Sequence, residues 1–293
     1  MFPPWATVRP AFHLTTAGGL VASRQMSARS RPLSSLPVAL TIAGSDSGAG
    51  AGVQADLLTF SALGVFGTTA ITCLTAQNPD GVTGVHEVPV AMVTGQLRQI
   101  ADFFALGAAK TGMLFSNDII RAVAAFLRER PRLKLVVDPV MVATSGARLL
   151  QEDAIETMQR ELIPLSTVAT PNLDEAAVML NGRRPANRDE VIATARELAT
   201  RFQVPVLLKG GHLAGNRLVD VLARPRGSPA VFTGRRVVGI DTHGSGCTLS
   251  AAIAALLARG LKLDDAVAGA RTYLQRGLMR PLSVGGRKFI AHR

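Results

Sequence analysis

The chain of 293 residues is 47% hydrophobic and 18% charged, so it holds enough apolar sequence for a large core. A transmembrane helix and a membrane partner are not expected, because no apolar run reaches about 18 residues. Nucleic acid is not an expected partner either, since aromatic residues are only 4% of the chain and no basic stripe is interleaved with them, although the formal charge is +11.

The N-terminal segment differs in composition from the rest. Residues 1–45 contain no Asp or Glu and are rich in Arg, Ser and Pro. We expect residues 1–36 to be a disordered leader or a mis-assigned start that precedes a true start at Met26. An organelle transit peptide is the other interpretation, and it is less favoured because the apolar positions show no amphipathic period. We expect residues 37–293 to form a single domain.

From residue 37 onward, short apolar strands alternate with segments of helical periodicity. The predicted strands cover 37–44, 68–76, 107–113, 133–141, 167–170, 205–209, 217–222 and 229–233. The predicted helices cover 53–63, 91–104, 119–127, 151–163, 173–181, 188–202, 246–259 and 264–279. This alternation predicts an α/β fold with a mostly parallel sheet that is covered by helices on both faces.

Polar clusters follow several of the predicted strands. They are GSDSGAGAG (44–52), AQN (76–78), KTGM (110–113), DPV (138–140), TPNLDE (170–175) and KGGH (209–212). Ligands of open α/β sheets bind outside the carboxyl ends of the strands, so these clusters are candidates for one shared site. Each cluster taken alone is also compatible with ordinary turn chemistry.

The stretch DTHGSGC (241–247) runs from a polar loop into an alanine-rich helix. Gly244 and Gly246 flank Ser245, and the amides of 245 to 247 are predicted to converge at the helix N-terminus as an anion site. A glycine-rich turn without a ligand is the alternative, and the spacing alone does not decide between them. The Walker phosphate-binding pattern is absent, because no GK[ST] follows.

Cys247 lies where this helix begins. The field of the helix is expected to lower the pKa of its thiol, so that the sulfur could accept a proton or act as a nucleophile. A small side chain packed at the helix start is the alternative. Together with Cys73, the only other cysteine, it makes no disulfide framework, which indicates a reducing compartment and a cytoplasmic location.

Four further residues carry polar groups suited to ligands. Asn172 and Glu175 are three residues apart, which suits either a hydrated magnesium ion or a capping box, and the spacing favours the cap. Asp138 ends the strongest predicted strand and either helps to hold a metal or starts a turn. Gln77 offers an amide donor and acceptor side by side, which match the edge of an aminopyrimidine or pyridine ring or tie down the turn at 78–81.

Seven ordered segments together resemble a known family. They are ALTIAGSDSGAGAGVQADLLTFSALGVFG, AQNPDGV, KTGML, DPVMVATSG, TPNLDEA, KGGH and THGSGCTLSAAIAALLARG, and they cover about residues 38–280. In this order they resemble the hydroxymethylpyrimidine kinase / phosphomethylpyrimidine kinase family of thiamine biosynthesis, in the ribokinase-like superfamily. The resemblance implies a three-layer α/β/α fold and an enzyme that uses ATP and Mg²⁺. Its two reactions would convert 4-amino-5-hydroxymethyl-2-methylpyrimidine to the monophosphate and then to the diphosphate.

The resemblance also implies roles for residues on the substrate side. Gln77 would bind the pyrimidine edge, and Met113 would pack on the ring. Asp56 and Gly44 would lie beside the ring and its hydroxymethyl group.

On the phosphate side, the resemblance assigns the anion hole to Gly244–Cys247 and places Lys209 near the nucleotide phosphates. Asn172 and Glu175 match an N-x-x-E element that governs magnesium and phosphate, with Glu175 and Asp138 acting on the metal indirectly, through water. Cys247 stands where many sugar kinases of the superfamily have an aspartate base, and it is the implied acceptor of the substrate hydroxyl proton.

The sequence departs from the family pattern at two places, and alternatives remain. Thr144 stands where family members often have a lysine, and the tail LSVGGRKFIAHR is short. A pyridoxal or pyridoxine kinase of the same superfamily is the nearest alternative, with Gln77 favouring the aminopyrimidine. A binding protein without turnover is the other alternative, disfavoured because Asn172, Glu175 and the anion loop are all present. Homodimers are common in this family.

Overall fold

A mixed sheet forms the centre of the protein. The computed structural model describes residues 36–141, 150, 152–211, 213 and 217–293. In this part of the chain, the strands of the main sheet are β1 (Val38–Asp46), β2 (Phe66–Asn78), β3 (Gly81–Glu87), β4 (Leu106–Thr111), β5 (Lys134–Val137), β6 (Val168–Ala169), β7 (Val206–Leu208), β8 (Arg217–Ala223) and β9 (Ala230–Arg235). They lie in the order β3-β2-β1-β4-β5-β6-β7-β8-β9.

The six strands from β2 to β7 in this order are parallel, and antiparallel strands flank them at both edges. β3 pairs antiparallel with β2, and β8 and β9 continue antiparallel from β7. The prediction of a mostly parallel sheet is therefore confirmed. β1 lies between β2 and β4, so successive connections leave it in opposite directions, which makes its carboxyl end a topological switch point.

Helices cover both faces of the sheet. They are α1 (Gly52–Ala62), α2 (Val90–Phe103), α3 (Asn117–Arg128), α4 (Glu152–Thr157), α5 (Leu173–Leu180), α6 (Arg188–Phe202), α7 (Ser245–Ala258) and α8 (Leu263–Met279). Helices α1, α7 and α8 pack on one face, and α2 to α6 pack on the other. The expected three-layer α/β/α architecture is confirmed. A π-helical turn, Met158–Leu162, and a short 3₁₀ segment, Ile163–Leu165, extend α4.

The sequence explains why β1 and α7 lie at the centre. Both faces of β1 are covered, so its residues from Ala39 to Ala43 are all buried and nearly continuously apolar. In α7, every residue from Thr248 to Leu257 is buried, because the helix is enclosed by the sheet, α1 and α8. Small alanine side chains allow this close approach on all sides, and the helix holds the loop before it rigidly.

The C-terminal tail folds back onto the domain. A hairpin of β10 (Leu282–Val284) and β11 (Arg287–Phe289) leads into residues whose side chains pack against α8. The ring of His292 is 3.2 Å from the Tyr273 hydroxyl and 3.3 Å from the Thr59 hydroxyl. The short tail is thus anchored by buried contacts.

Several boundaries differ from those predicted. β3 and the C-terminal hairpin were not expected, since β3 is glycine-containing and largely exposed and therefore lacks a hydrophobic signal. The strand predicted over 133–141 ends at Val137, because Asp138 precedes Pro139 and its carbonyl accepts from the Val140 amide in a tight turn. The N-terminal segment 1–35 and Thr144 lie outside the described residues. No helix in the described part of the chain has the length and apolarity to cross a membrane.

Candidate active site

The loop before α7 is built around one glycine. Gly244 is the N-cap of α7 and has φ +76°, in the left-handed region. A Cβ atom there would lie 1.8 Å from the carbonyl oxygen of Gly50, in the loop between β1 and α1. Any side chain at this position would therefore force the two loops apart. The sequence places glycine here because two backbones meet in direct contact.

Two amides of this loop are available to an anion. Among the described residues, neither the Gly246 nor the Cys247 amide donates to a backbone carbonyl, as is usual in the first turn of a helix. The Ser245 amide donates to the Thr242 carbonyl at 3.0 Å. The prediction that three amides converge is therefore wrong for Ser245, whose amide closes the turn.

The Cys247 thiol lies next to buried charges. Its sulfur accepts a hydrogen bond from the Gly52 amide, and Lys110, Asp56 and Asp138 are close enough to act on it electrostatically. Burial raises the pKa of the thiol above its ordinary value, and the two carboxylates add to this effect, while Lys110 opposes it. The expectation that the pKa of Cys247 is lowered is wrong, because burial outweighs the stabilisation of the thiolate by Lys110 and the Gly52 amide.

A buried ion pair lies beneath the thiol. Lys110 Nζ is 3.0 Å and 2.9 Å from the two carboxylate oxygens of Asp56, and both side chains are 0% exposed. The Thr41 hydroxyl donates to the same carboxylate at 2.5 Å. Burial raises the pKa of Asp56, and Lys110 opposes that shift. Asp56 is thus fully buried, and its oxygens are engaged by Lys110 and Thr41.

A second charged cluster flanks the anion loop. Lys209 Nζ is 2.8 Å from Asp138 Oδ1, and the Ser250 hydroxyl donates to Asp138 Oδ2 at 3.1 Å. A Cβ atom added at Gly246 would lie 3.3 Å from Lys209 Nζ, so the ammonium group borders the loop. Burial alone would raise the pKa of Asp138, but Lys209 and Lys110 hold it below its usual value.

Asn172 and Glu175 form a complete capping box at the start of α5. The Asn172 side chain accepts from the Asp174 and Glu175 amides, each at 2.9 Å, and Glu175 Oε2 accepts from the Asn172 amide at 2.7 Å. The capping interpretation is confirmed. Burial raises the pKa of Glu175 to about 7, with Asp138 adding to the shift and Lys209 opposing it.

These carboxylates also suit a hydrated cation. Mg²⁺ prefers oxygen ligands and keeps several waters, so one or two carboxylates and the substrate phosphates are usually enough. Asp138 and Glu175 supply two carboxylates at one edge of the anion loop. Within the described residues, no group of three or more His, Cys, Asp or Glu side chains could hold a metal ion without further ligands. The donor set fits an ion that is shared with phosphates.

The predicted substrate side lies at the ends of β1, β2 and β4. A Cβ atom at Gly44 would lie 2.7 Å from the Cys73 sulfur and 3.5 Å from the Met113 sulfur. The space beside this residue is therefore too small for a side chain. Met113 is buried and packs against Cys73 together with Phe115 and Val140. Gly44 and Met113 are therefore adjacent in the fold.

A polar network links Gln77 to the anion loop. Gln77 Nε2 is 3.0 Å from His243 Nε2, and the same ring nitrogen is 3.1 Å from Asp46 Oδ2. The Thr75 hydroxyl is 3.2 Å from Gln77 Oε1. Sequence reasoning missed His243 and Asp46, although Asp46 lies in a polar cluster that follows a strand and His243 lies in the glycine-containing loop before α7. Their proximity comes from the fold, which brings segments almost 200 positions apart into contact.

Two surface cavities, of about 310 and 400 Å³, lie elsewhere. Both are lined near Arg130, Pro131 and Leu133, at the amino end of β5. None of the candidate site residues described above lines either cavity. The carboxyl ends of the strands remain the candidate site, because the polar side chains, the open amides and the glycine contacts all meet there.

The fold and this arrangement define a class of enzyme. The open amides lie at a helix N-terminus, and a lysine and two carboxylates border them. Such an arrangement next to a partly apolar pocket is typical of an α/β kinase that acts on a small molecule. A model of the phosphomethylpyrimidine kinase family matches residues 46–292. The chain belongs to this family, and the expected ribokinase-like kinase fold is confirmed.

Individual relatives agree with that assignment. The hydroxymethylpyrimidine/phosphomethylpyrimidine kinase of Rhizobium meliloti is 47% identical over 242 residues, which are 82% of this chain and 90% of that protein. The thiamine biosynthesis bifunctional protein ThiED of Geobacter sulfurreducens is 44% identical over 248 residues, or 84% of this chain, which spans only 50% of that protein. An ADP complex of Bacillus subtilis pyridoxal kinase superposes with a TM-score of 0.81 at 34% identity, covering 88% of this chain and 98% of that one.

Proposed function

We propose that the protein phosphorylates the hydroxymethyl group of 4-amino-5-hydroxymethyl-2-methylpyrimidine and then converts the monophosphate to the diphosphate, with ATP as the phosphoryl donor. The observation that carries the proposal is the meeting of Gln77, the anion loop and Lys209 at one edge of the sheet. Family membership over residues 46–292 supports it. Such a reaction needs a polar group that recognises the ring, backbone amides that bind the phosphate and a positive charge in a fixed position.

Transfer of a phosphoryl group depends mainly on positioning and on neutralising charge. The Gly246 and Cys247 amides would hold equatorial oxygens of the phosphoryl group at the positive end of α7. The Lys209 ammonium group would neutralise charge on the nucleotide phosphates. Its pKa supports this role, since Asp138 and Glu175 hold it above the ordinary value although burial opposes them.

Asp138 and Glu175 are the residues that would hold Mg²⁺ through its water ligands. When bound, the ion would supply charge neutralisation between the phosphates. Asn172 positions Glu175 through the capping box, so the carboxylate is fixed before any ligand arrives. This fixed geometry is the contribution of the chain itself to the metal site.

The same proposal gives Cys247 the role of proton acceptor for the substrate hydroxyl. The raised pKa of its thiol means that little thiolate exists at neutral pH, so the rate should increase with pH as the thiol ionises. Cys247→Ala is expected to lower turnover by about 10²–10⁴-fold, the usual cost of losing a general base, while ATP still binds. Steady-state rates over a pH series and calorimetric titration with ATP would measure both. Unchanged turnover would show that Cys247 is not the general base and that catalysis depends on the amides instead.

A phosphorylation assay with purified protein tests the function directly. We expect ATP, Mg²⁺ and the pyrimidine alcohol to give the monophosphate first and the diphosphate later, both resolved by mass spectrometry. The reaction should stop when magnesium is chelated. Absence of both products under conditions in which ATP binds would overturn the proposal.

Pyridoxal kinase activity is the second candidate, and the similarity to the Bacillus subtilis pyridoxal kinase favours it. Both substrates are flat heterocycles with a hydroxymethyl group. Gln77 discriminates between them, because its donor and acceptor pair matches an aminopyrimidine edge better. Turnover on the two substrates measured side by side decides the order of preference, and we expect the pyrimidine to have the larger kcat/KM.

A further inference from the structure

His243 sits at the junction of three segments. Its side chain is 17% exposed, and a Cβ atom at Gly50 would lie 2.6 Å from its Cδ2 atom, so the ring rests against the loop between β1 and α1. Its Nε2 atom is 3.1 Å from Asp46 Oδ2 and 3.0 Å from the amide group of Gln77. One ring nitrogen therefore lies within hydrogen-bond distance of two partners. Whether this nitrogen carries a hydrogen decides whether each partner accepts a hydrogen bond from it or donates one to it.

Asp46 requires that hydrogen. Its Oδ1 accepts from the Gly48 amide at 2.8 Å and its Oδ2 accepts from the Ala51 amide at 2.8 Å. Burial alone would raise the pKa of Asp46, but hydrogen bonds from His243 and the two amides hold it below the usual value. An ionised carboxylate only accepts hydrogen bonds. A lone pair on His243 Nε2 would face this charge without a hydrogen between them, so Nε2 carries the proton.

Thr75 imposes the matching requirement at the other end of Gln77. Its single hydroxyl hydrogen can serve only one acceptor, and the Ser45 carbonyl oxygen at 2.9 Å is nearer than the Gln77 amide at 3.2 Å, so we assign the hydrogen to Ser45. The hydroxyl oxygen, 3.2 Å from the Gln77 amide, is then left with lone pairs only. The part of the amide that faces Thr75 must therefore be a donor.

Both requirements are met by one orientation of the Gln77 side chain. We propose that His243 and Thr75 are positioning residues that hold the Gln77 amide with its oxygen toward His243 and its NH₂ group toward Thr75. This is the amide rotated by half a turn from the orientation in which Nε2 faces His243. The oxygen and nitrogen of an amide are distinguished by their partners, and here two independent partners agree.

The fixed orientation determines how a ring is bound, an inference that rests on the proposed function. Gln77 keeps one free N–H on the Thr75 side and one free lone pair on the His243 side. An aminopyrimidine would then place its ring nitrogen on the Thr75 side and its amino group on the His243 side. A pyridine substrate that lacks the amino donor would leave this second lone pair of the amide oxygen without a donor, so this orientation selects against it.

Nitrogen NMR of the histidine rings tests the orientation without any substrate. His243→Ala identifies the resonance by its loss. We expect the His243 ring to carry a proton at Nε2. A ring protonated at Nδ1 alone would overturn the proposal, because Gln77 would then donate to His243.

Binding measurements test the consequence for recognition. His243→Ala and Thr75→Val should each weaken binding of the pyrimidine alcohol by about three- to tenfold, the usual worth of one hydrogen bond, and reduce its preference over pyridoxal. Affinity of the Thr75→Val variant for ATP alone should stay unchanged. His86→Ala is the matched control, since His86 is exposed on the edge strand β3, and it should change neither value.

A double-mutant cycle separates orientation from loop damage. With Gln77→Ala already present, His243→Ala should cause no further loss of preference, because no amide remains to orient. Equal losses of preference in both backgrounds would overturn the positioning role. If Gln77→Ala itself leaves pyrimidine affinity unchanged, the proposed substrate site at Gln77 is wrong. This result differs from equal losses in both backgrounds, which would refute only the positioning role of His243.

Discussion

The buried pair Lys110–Asp56 gives the sharpest test of how the site is supported. We expect Lys110→Met to leave a buried carboxylate without its counter-ion, and Asp56→Asn to leave a buried ammonium. At 2.9 Å, the attraction is about 6 kcal/mol for an effective dielectric constant of about 20, and desolvation offsets much of it. Removal of one partner of such a pair typically costs about 3–5 kcal/mol of unfolding free energy. For a domain of this size, that corresponds to a lowering of Tm by about 6–20 °C.

The double variant Lys110→Met with Asp56→Asn removes both charges and should recover most of that loss, because neither partner is left unpaired. Urea unfolding followed by circular dichroism would give the four free energies, and we expect a coupling energy of at least about 2 kcal/mol. Arg160→Met is the control, since Arg160 pairs with Glu156 on the surface, where a pair contributes under about 0.5 kcal/mol. Additive losses in the double variant would refute the view that the two charges stabilise each other.

Two further predictions concern the phosphate side. The pKa of Glu175 is raised from 4.5 to about 7, so the folded protein holds a proton that the unfolded chain releases, and unfolding free energy should fall as pH rises through that range in magnesium-free buffer. Glu175→Gln should flatten this part of the stability curve, and an unchanged slope would assign it to another group. Gly244→Ala should lower kcat at least about 10²-fold, the scale for loss of an oxyanion donor, because the added Cβ collides with Gly50. Retention of wild-type kcat in that variant would show that the loop tolerates displacement.

The alternation of strands and helices was readable from the sequence because both faces of the sheet are covered. Buried strands such as β1 are continuously apolar, and helices such as α3 carry their apolar residues on one face. β3 escaped prediction because it contains two glycines and its side chains lie mostly in solvent. Its position comes from pairing with β2, which no local pattern reports.

The residues of the site were likewise predictable where they are close in sequence and unpredictable where the fold brings them together. Asn172 and Glu175 are local neighbours in the chain, so the capping box was predictable from spacing alone. The neighbours of Cys247 were not, since Lys110 comes from β4 and Asp56 from α1. A lysine within an otherwise apolar strand was the available signal that a buried counter-ion exists. Its partner could be found only in three dimensions.

The contact between Gly50 and Gly244 has a consequence for how ligands influence one another. The loop that follows β1 is held to Asp46, the last residue of that strand, through the Ala51 amide and borders the ring site, while the loop before α7 leads directly into the open amides. Because the two backbones touch with no side chain between them, displacement of one loop by a ligand must displace the other. Binding of the ring substrate and of the nucleotide should therefore be thermodynamically linked, and each should change the affinity of the other by the same factor.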